Sequence, residues 1–292
     1  DPFLLIDQKQ QPVFDTLSSL QQLCSSDHLF MDGTFSCCPS PFYQLYTIHC
    51  YNNQISTPNL YSLLADKSQG TYTNLSAAIQ RICYENHLII NPKYITIDFE
   101  TAMITYLSII FPNAAIKGCN FHFNKCLYKR LQALGFQSAF INAESTDIND
   151  INVRNLYKKT AALASTPPNQ IPNLWVQIMD DFQYIQNIEP FFDYFTTTCV
   201  DGNAMFDYSL WNYFDFLSHR TNNNVEGWHC RLNSLLYHVH HPNIYVFVNS
   251  LKEDFAFNTA IITQTSATGA TPSRKKLYVQ RNTRILDLEK RF

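Results

Sequence analysis

A short strand that ends on an acid and leads directly into a helix is the feature that most constrains this chain. From Lys93 onward, β-branched and aromatic residues predict a half-buried strand that ends at Asp98. Apolar residues then recur at three- and four-residue spacing from Ala102 to Ile110, which predicts a helix. An acid at the carboxyl end of a strand lies where α/β folds place their chemistry. Two interpretations of Asp98 are open at this point: a cap of the next helix, or a member of a functional site.

The composition is typical of a folded protein. The chain has 292 residues, 46% hydrophobic and 15% charged, which suits one large domain or a domain with an insertion. No apolar run reaches the roughly 20 residues that span a bilayer, so we expect no membrane contact. The nine cysteines are scattered and form no Cys-x-x-Cys pair, which favours reduced thiols in the cytosol or nucleus. The net charge of −3 argues against strong non-specific DNA binding by this segment alone, but it leaves room for a DNA-binding module elsewhere.

The first half of the chain predicts an α/β fold of a particular type. Three strands, near 28–35, 42–51 and 60–65, are expected to form an antiparallel meander. A helix over 71–87, the strand ending at Asp98 with its helix, a strand over 114–117 and a basic helix follow. Three antiparallel strands and then strand–helix units predict an RNase H-like mixed sheet.

Beyond the basic helix, the strand signal mostly disappears until a polar loop at His219–Asn224 leads into a helix carrying Glu226. This pattern predicts a largely helical insertion before the helix that carries Glu226. The expected organisation is an N-terminal flank (1–24), the first part of the RNase H-like core (25–136), the helical insertion (137–217), the last part of the core (218–262) and a flexible basic tail (263–292). The basic residues of that tail are expected to be solvated, with phosphate contact as the alternative; they are Arg274, Lys275, Lys276, Arg281 and Arg284.

The acids form a set if the sheet is RNase H-like, because its first and fourth strands are then neighbours. Asp32 and Asp98 would meet across those strands although 98 − 32 = 66 residues separate them. Carboxylates suit Mg²⁺ or Mn²⁺, and Glu226 would complete a site for two ions about 3.5–4 Å apart. Two simpler interpretations remain: Glu226 is a first-turn acid that stabilises its helix dipole, and Glu100 faces away from the site or lies in the first turn of the next helix.

A series of short motifs then follows one order along the chain. They are Asp32-Gly-Thr-Phe35, Pro41 to His49, Tyr61 to Lys67, Thr71-Tyr72, Ile97-Asp98-Phe-Glu100-Thr-Ala102, Phe111-Pro112, Gly118-Cys-Asn-Phe-His-Phe123 and Asn224-Val-Glu226-Gly-Trp-His229. Over about residues 25–240 this series resembles the transposase core of Mutator-like elements. The resemblance implies a DDE transposase with an RNase H-like fold and an all-helical insertion before its third acid.

The resemblance also implies what the chain does. Asp32, Asp98 and Glu226 would be the catalytic and metal-binding acids, holding two Mg²⁺ or Mn²⁺ ions. The enzyme would cut DNA at transposon ends and transfer the strands to target DNA. Its partners would be terminal inverted repeats, target DNA and further copies of itself, as a homodimer or higher assembly in the nucleus. The alternatives are a domesticated DNA-binding or regulatory protein that no longer cleaves DNA, and an interaction protein with an unrelated α/β core.

Cys119 and His122 match the Cys-x-x-His signature of the family. A cysteine and a histidine three residues apart could begin a zinc site, but two further ligands would be required. Cys126 and the histidines between 238 and 241 are candidates, but no spacing motif supports either choice. We therefore expect no zinc, with Cys119 buried at a strand end and His122 packed or in contact with DNA.

Several other side chains are candidates for DNA contact. Trp228 could stack on an extruded base, although a core position is the commoner role for a tryptophan. Cations on helix faces could bind phosphate, with solvated faces as the alternative. The remaining candidates are His229, Arg231, Lys125, Lys129 and Arg130.

Overall fold

The computed structural model describes residues 4–6, 11–52, 55–142, 144–216, 218–269 and 276–290. The chain divides into two compact units. The first, here called the sheet unit, comprises Asp1–Ile116 and Thr221–Ser273. The second, the helical unit, comprises Lys117–Arg220 and Arg274–Phe292. No helix among the described residues is long and apolar enough to cross a membrane.

The described strands form one mixed sheet. They are β1 (Leu4–Ile6), β2 (Val13–Phe14), β3 (His28–Thr34), β4 (Gln44–Asn52), β5 (Ile55–Leu64), β6 (Tyr94–Ile97) and β7 (Ala115–Gly118). Their order in the sheet is β1-β2-β5-β4-β3-β6-β7. The pairs from β1 to β3 along this order are antiparallel, whereas β3 and β6 run parallel.

The described helices lie between and after these strands. They are α1 (Leu17–Ser25), α2 (Gln69–Glu85), α3 (Thr101–Ile110), α4 (Asn120–Ala133), α5 (Ser138–Ile141), α6 (Ile148–Ala162), α7 (Ile171–Phe182), α8 (Glu189–Phe195), α9 (Tyr208–Trp211), α10 (Asn223–Leu235), α11 (Ile244–Thr268) and α12 (Lys276–Glu289). Helices α1, α2, α3, α10 and α11 belong to the sheet unit, and the others belong to the helical unit.

The mixed α/β architecture expected from the sequence is confirmed. Strands β3, β4 and β5 form the predicted meander, and β6 lies beside β3. Two features differ from the expectation. Strands β1 and β2 were not predicted, and β5 begins at Ile55 rather than near Leu60. The start of β5 is polar and contains Pro58, so no apolar alternation marks it, and its pairing with β4 defines it instead.

Both faces of the sheet unit's strands are covered by helices. On one face, Leu29 and Met31 of β3 belong to a core cluster with residues of α1, α2 and α3. On the other face, Leu45 and Leu63 pack with apolar residues of α10 and α11. Because successive strand residues point to opposite faces, this arrangement assigns every β3 side chain to one helical layer or the other. Asp32 therefore points away from the cluster that contains Met31.

The C-terminal region differs from the tail expected for residues 263–292. Helix α11 continues to Thr268, and residues 276–289 form α12. Within the helical unit, the Arg220 guanidinium lies 2.9 Å from the Glu289 carboxylate, which is nearly buried. Lys276, Arg281 and Arg284 are exposed, while Arg274 and Lys275 lie outside the described residues. The basic residues of this region are thus carried in part by an ordered helix.

A buried carboxylate joins α10 to α11. Asp254 has a fully buried side chain, and one of its oxygens accepts hydrogen bonds from Trp228 Nε1 at 2.7 Å and Asn258 Nδ2 at 2.8 Å. Its other oxygen accepts bonds from Arg231 Nε at 3.0 Å and Arg231 Nη2 at 2.6 Å. The Tyr61 hydroxyl of β5 lies 3.5 Å from the first oxygen. These donors compensate for the lost hydration of a buried charge and fix α10 against its neighbours.

Replacing Asp254 should therefore destabilise the sheet unit strongly. Asp254→Ala leaves the Arg231 charge and the Trp228 donor without their acceptor, so the free energy of unfolding should fall by about 3 kcal/mol. Urea denaturation followed by circular dichroism measures this change. Asp27→Ala is the matched control, because Asp27 and Lys93 form an ion pair whose side chains are both 67% exposed, and the loss of such an exposed pair should change stability little. Equal losses for the two variants would contradict the role assigned to Asp254.

Candidate active site

The register between β3 and β6 brings two acids together. It pairs His28 with Tyr94 and Phe30 with Thr96, an offset of 94 − 28 = 66 residues. The same offset places Asp98, one residue beyond the end of β6, opposite Asp32 of β3. Adjacent strands lie about 4.8 Å apart. The two carboxylates therefore start from neighbouring backbone positions at one edge of the sheet.

Asp32 and Asp98 open onto one cleft of about 390 Å³, which also holds Glu100 and Lys67. The remainder of its wall is apolar or neutral: Met31, Gly33, Phe35, Gln44, Tyr46, Ile97 and Met103. Three carboxylates and one ammonium group thus share a small space. Such a concentration of negative charge is favourable only if cations neutralise it.

The backbone and a histidine fix the position of Asp32. The Gly33 N–H donates to Asp32 Oδ1 at 2.8 Å, and His229 Nδ1 of α10 lies 3.7 Å from Asp32 Oδ2. Burial lowers the pKa of His229 to about 4, although the negative charge of Asp98 opposes the shift. The imidazole is therefore neutral at pH 7, so its contact with Asp32 is polar rather than ionic. His229 was predicted as a possible DNA contact, but its side chain is only 14% exposed and lies against this acid.

Glu100 lies in the wall of the cleft, at the N-cap position of α3, so the expectation that it faces away is wrong and the alternative, a place at the start of the helix, is close to what is found. The Tyr72 hydroxyl donates to Glu100 Oε1 at 3.2 Å, and Lys67 Nζ lies 3.5 Å from Oε2. Gln44 Nε2 in turn donates to the Tyr72 oxygen at 3.0 Å. Burial raises the pKa of Tyr72, so its hydroxyl keeps the proton that it donates. A signal for Glu100 was present in the sequence, because residues two apart in an extended segment share a face.

Asp98 does not cap helix α3. The N-cap position of α3 is Glu100, and its side chain makes no capping hydrogen bond. Asp98 lies two residues earlier, in the wall of the cleft. The acid that ends the strand is therefore available to the cleft rather than to the end of the helix.

Glu226 lies in the first turn of α10, on the side of the helix that carries His229. Residues three apart on a helix are surface neighbours, so His229 directs this face of α10 toward Asp32. Asn222, which is fully buried, donates from Nδ2 to the Met31 carbonyl at 3.5 Å and ties the start of α10 to β3. Glu226 is half-buried and is not in the wall of the cleft. Among the described residues, no three His, Cys, Asp or Glu side chains converge closely enough to hold one metal ion.

Cys119 and His122 lie in the helical unit at the start of α4. Cys119 is fully buried at the N-cap position of this helix. His122 is half-buried in the first turn, where its ring meets the Phe121 ring edge-on. Within this unit, the Tyr213 hydroxyl donates to the Gly118 carbonyl and Asn120 N donates to the Arg220 carbonyl at 2.8 Å. These bonds fix the turn between β7 and α4, and a functional role for the pair stays a prediction.

Like His229, three other residues predicted as DNA contacts have internal partners. Trp228 is 5% exposed and donates to Asp254, so it occupies the core position that was the commoner role expected for it rather than an exposed stacking surface. Arg231 is an ion-pair partner of the same carboxylate. In the helical unit, Arg130 donates to the Pro190 carbonyl at 3.0 Å and lies over the Tyr194 ring. Lys125 and Lys129 of α4 are exposed, so their contact with phosphate stays a prediction.

Comparison with known proteins supports the resemblance noted in the sequence. The MULE transposase domain matches residues 28–126, a range that contains Asp32, Asp98, Cys119 and His122 but ends before Glu226. This match confirms the resemblance to Mutator-like transposases for that part of the chain. One similar solved structure is the Drosophila P element transposase strand transfer complex, at 13% identity and a TM-score of 0.47. That alignment covers 87% of this chain and 83% of the other. No curated protein matches the chain.

Two glycines near the site should respond oppositely to alanine. A Cβ at Gly33 would collide with the amide oxygen of Gln44, and moving that amide breaks its bond to Tyr72. Gly33→Ala should therefore lower the free energy of unfolding by about 1 kcal/mol. A Cβ at Gly227 of α10 would meet nothing within 4 Å, so Gly227→Ala should raise it by up to about 1 kcal/mol through helix propensity. Thermal denaturation measures both variants, and a change of the same sign in both would refute this account of Gly33.

Proposed function

We propose that this chain is the catalytic core of a DDE transposase, which cuts DNA at transposon ends and transfers the strands to target DNA. The observation that carries the proposal is the β3–β6 register, which brings Asp32 and Asp98 to one cleft from positions far apart in sequence. The MULE transposase match over residues 28–126 supports it independently of this geometry.

The sheet supports an RNase H-like assignment of the fold. Three antiparallel strands, β5, β4 and β3, are followed by β6 in parallel and by β7. Helix α10, which carries Glu226, comes after the long helical stretch between 120 and 211. This order is the one implied by the family resemblance, with the insertion before the third acid.

The residues of the cleft fit divalent metal ions. Carboxylate oxygens are the ligands that Mg²⁺ and Mn²⁺ prefer, and Asp32 and Asp98 present them from adjacent strands. Two ions held by these acids would lower the pKa of the attacking hydroxyl and stabilise charge on the scissile phosphate. The protein's own contribution is orientation. The Gly33 N–H holds one oxygen of Asp32, and the neutral His229 ring adds no cation that would compete with a metal ion.

The third acid has two candidates. Glu226 matches the family motif, and its helix face is turned toward Asp32 by His229. Glu100 is already in the cleft, but Tyr72 and Lys67 each engage one of its oxygens. We assign the third metal-binding position to Glu226 and the role of holding Lys67 and Tyr72 to Glu100. This assignment requires the Glu226 side chain to turn into the cleft when metal ions bind.

The DNA substrates are terminal inverted repeats and target DNA, bound by a homodimer or higher assembly. The net charge of −3 implies that much of the affinity for DNA comes from outside the cleft. The proposal includes a nuclear location, because the DNA on which such an enzyme would act is there.

Removing either cleft aspartate should abolish cleavage. Asp32→Asn and Asp98→Asn each remove a charged ligand, so Mg²⁺-dependent cutting of a terminal-repeat DNA should fall at least about a hundredfold. Binding of Mn²⁺, measured by isothermal titration calorimetry, should weaken in the same variants. Asp27→Asn, an exposed acid outside the cleft, should change neither measurement.

The results separate the proposal from its alternative. A wild-type chain that binds the terminal-repeat DNA and Mn²⁺ but never cuts it would favour a domesticated DNA-binding protein. Cleavage that survives in both Asp32→Asn and Asp98→Asn would remove the DDE mechanism altogether.

The two candidates for the third acid can be ranked by the same assay. Glu226→Gln should reduce cleavage as much as Asp98→Asn, because it removes a proposed ligand. Glu100→Gln keeps its shape and its bond from Tyr72, so the loss should be nearer tenfold, the effect of a mispositioned group. A larger loss of cleavage in Glu100→Gln than in Glu226→Gln would assign the third metal-binding position to Glu100.

A further inference from the structure

Two aromatic rings stand together, exposed, at the mouth of the cleft. Phe35 directly follows β3 and lines the cleft, with 39% of its surface exposed. Tyr43 directly precedes β4 and is 53% exposed. Their ring centroids are 5.3 Å apart at an interplanar angle of 68°. We call this pair, together with Lys67, the aromatic rim.

Lys67 is the cation of the aromatic rim and lies between the Phe35 ring and the acids of the cleft. Lys67 Nζ lies 4.6 Å from the centroid of the Phe35 ring and 3.5 Å from Glu100 Oε2. The Lys67 side chain is 39% exposed, and ion pairs at such exposure contribute little to stability. The ammonium group can therefore exchange Glu100 for another anion without a large penalty.

The aromatic rim is not explained by packing. A ring that serves the core is buried, as Tyr61 and Tyr72 are in the same unit. Phe35 and Tyr43 instead keep much of their surface in water while contacting each other. Rings beside a lysine are the combination with which proteins hold an unpaired nucleotide, by stacking the base and neutralising its phosphate. Paired bases present no free face, so this chemistry selects an unpaired one.

We propose that Phe35, Tyr43 and Lys67 bind one unpaired nucleotide of a DNA strand beside the acidic cleft. The base stacks on the exposed rings, and the Lys67 ammonium moves from Glu100 to the neighbouring phosphate. The strand end is thereby fixed next to Asp32 and Asp98. This inference rests on the proposed function only in taking DNA as the occupant of the cleft.

The test uses a short DNA single strand that carries one 2-aminopurine, whose fluorescence falls on stacking. The full chain should bind this strand more tightly than the same sequence in duplex form and should quench its fluorescence. Phe35→Leu and Tyr43→Leu should each weaken binding roughly tenfold and relieve the quenching. Phe35→Tyr and Tyr43→Phe keep the rings and should behave as wild type. Tyr84→Leu, which replaces an exposed tyrosine outside the cleft, is the matched control and should have no effect.

The phosphate contact proposed for Lys67 is tested by the salt dependence of DNA binding. Lys67→Met should reduce the slope of log affinity against log salt concentration by about one, because one phosphate contact is lost. Quenching should persist in this variant, because the rings remain. An unchanged salt slope would remove the phosphate contact from the proposal.

The outcomes distinguish this inference from the proposed function. Wild-type binding and quenching in both leucine variants would overturn the aromatic rim, even if Asp98→Asn had abolished cleavage. Loss of binding in those variants, with cleavage unaffected in Asp32→Asn and Asp98→Asn, would keep the nucleotide site and reject the DDE mechanism. Tighter binding of an RNA strand of the same sequence would overturn the assignment to DNA.

Discussion

The parallel pairing of β3 with β6 is the constraint on which the candidate site depends. It fixes an offset of 66 residues between the two strands, and that single offset sets Asp32 opposite Asp98. The alternation of side chains along each strand then decides which face of the sheet each residue occupies. Leu29, Met31, Ile95 and Ile97 enter the core on one face, so the residues between and after them must point to the other. A slip of one residue in either strand would turn a carboxylate into the apolar cluster of α1, α2 and α3 and remove an apolar side chain from it, so the packing of that cluster stabilises the register that sets the acids side by side.

The second support is the attachment of α10. Its first turn is tied to β3 through Asn222, and its centre is tied to α11 and β5 through the carboxylate of Asp254. Trp228 and Arg231 therefore act inside the protein, although their residue types suggested a surface that meets DNA. What remains on the inner face of the helix is His229 against Asp32, with Glu226 one turn before it. The polar bonds that hold the helix thus also set the approach of the third acid.

A hydrogen-bonded network of polar side chains surrounds the acids, and in it a lysine balances one carboxylate. Glu100 is held by Tyr72 and Lys67, and Gln44 holds Tyr72. Gly33 is small because the Gln44 amide fills the space a side chain would need. Lys67 links this network to the exposed rings of Phe35 and Tyr43. The same lysine balances a carboxylate and faces the solvent at the point where a DNA strand would arrive in the proposed function.

The sequence by itself determined the order of the central strands and helices, because apolar periodicity follows directly from which faces must be buried. It also singled out Asp32, Asp98 and Glu226, because acids at strand and helix ends are local patterns. It could not bury Trp228 or pair Arg231 with Asp254, because both depend on contacts between α10 and α11, two separate helices whose packing no local pattern defines. A side chain's type limits its possible partners, but only the tertiary structure decides whether solvent, DNA or a buried carboxylate is near enough to be one.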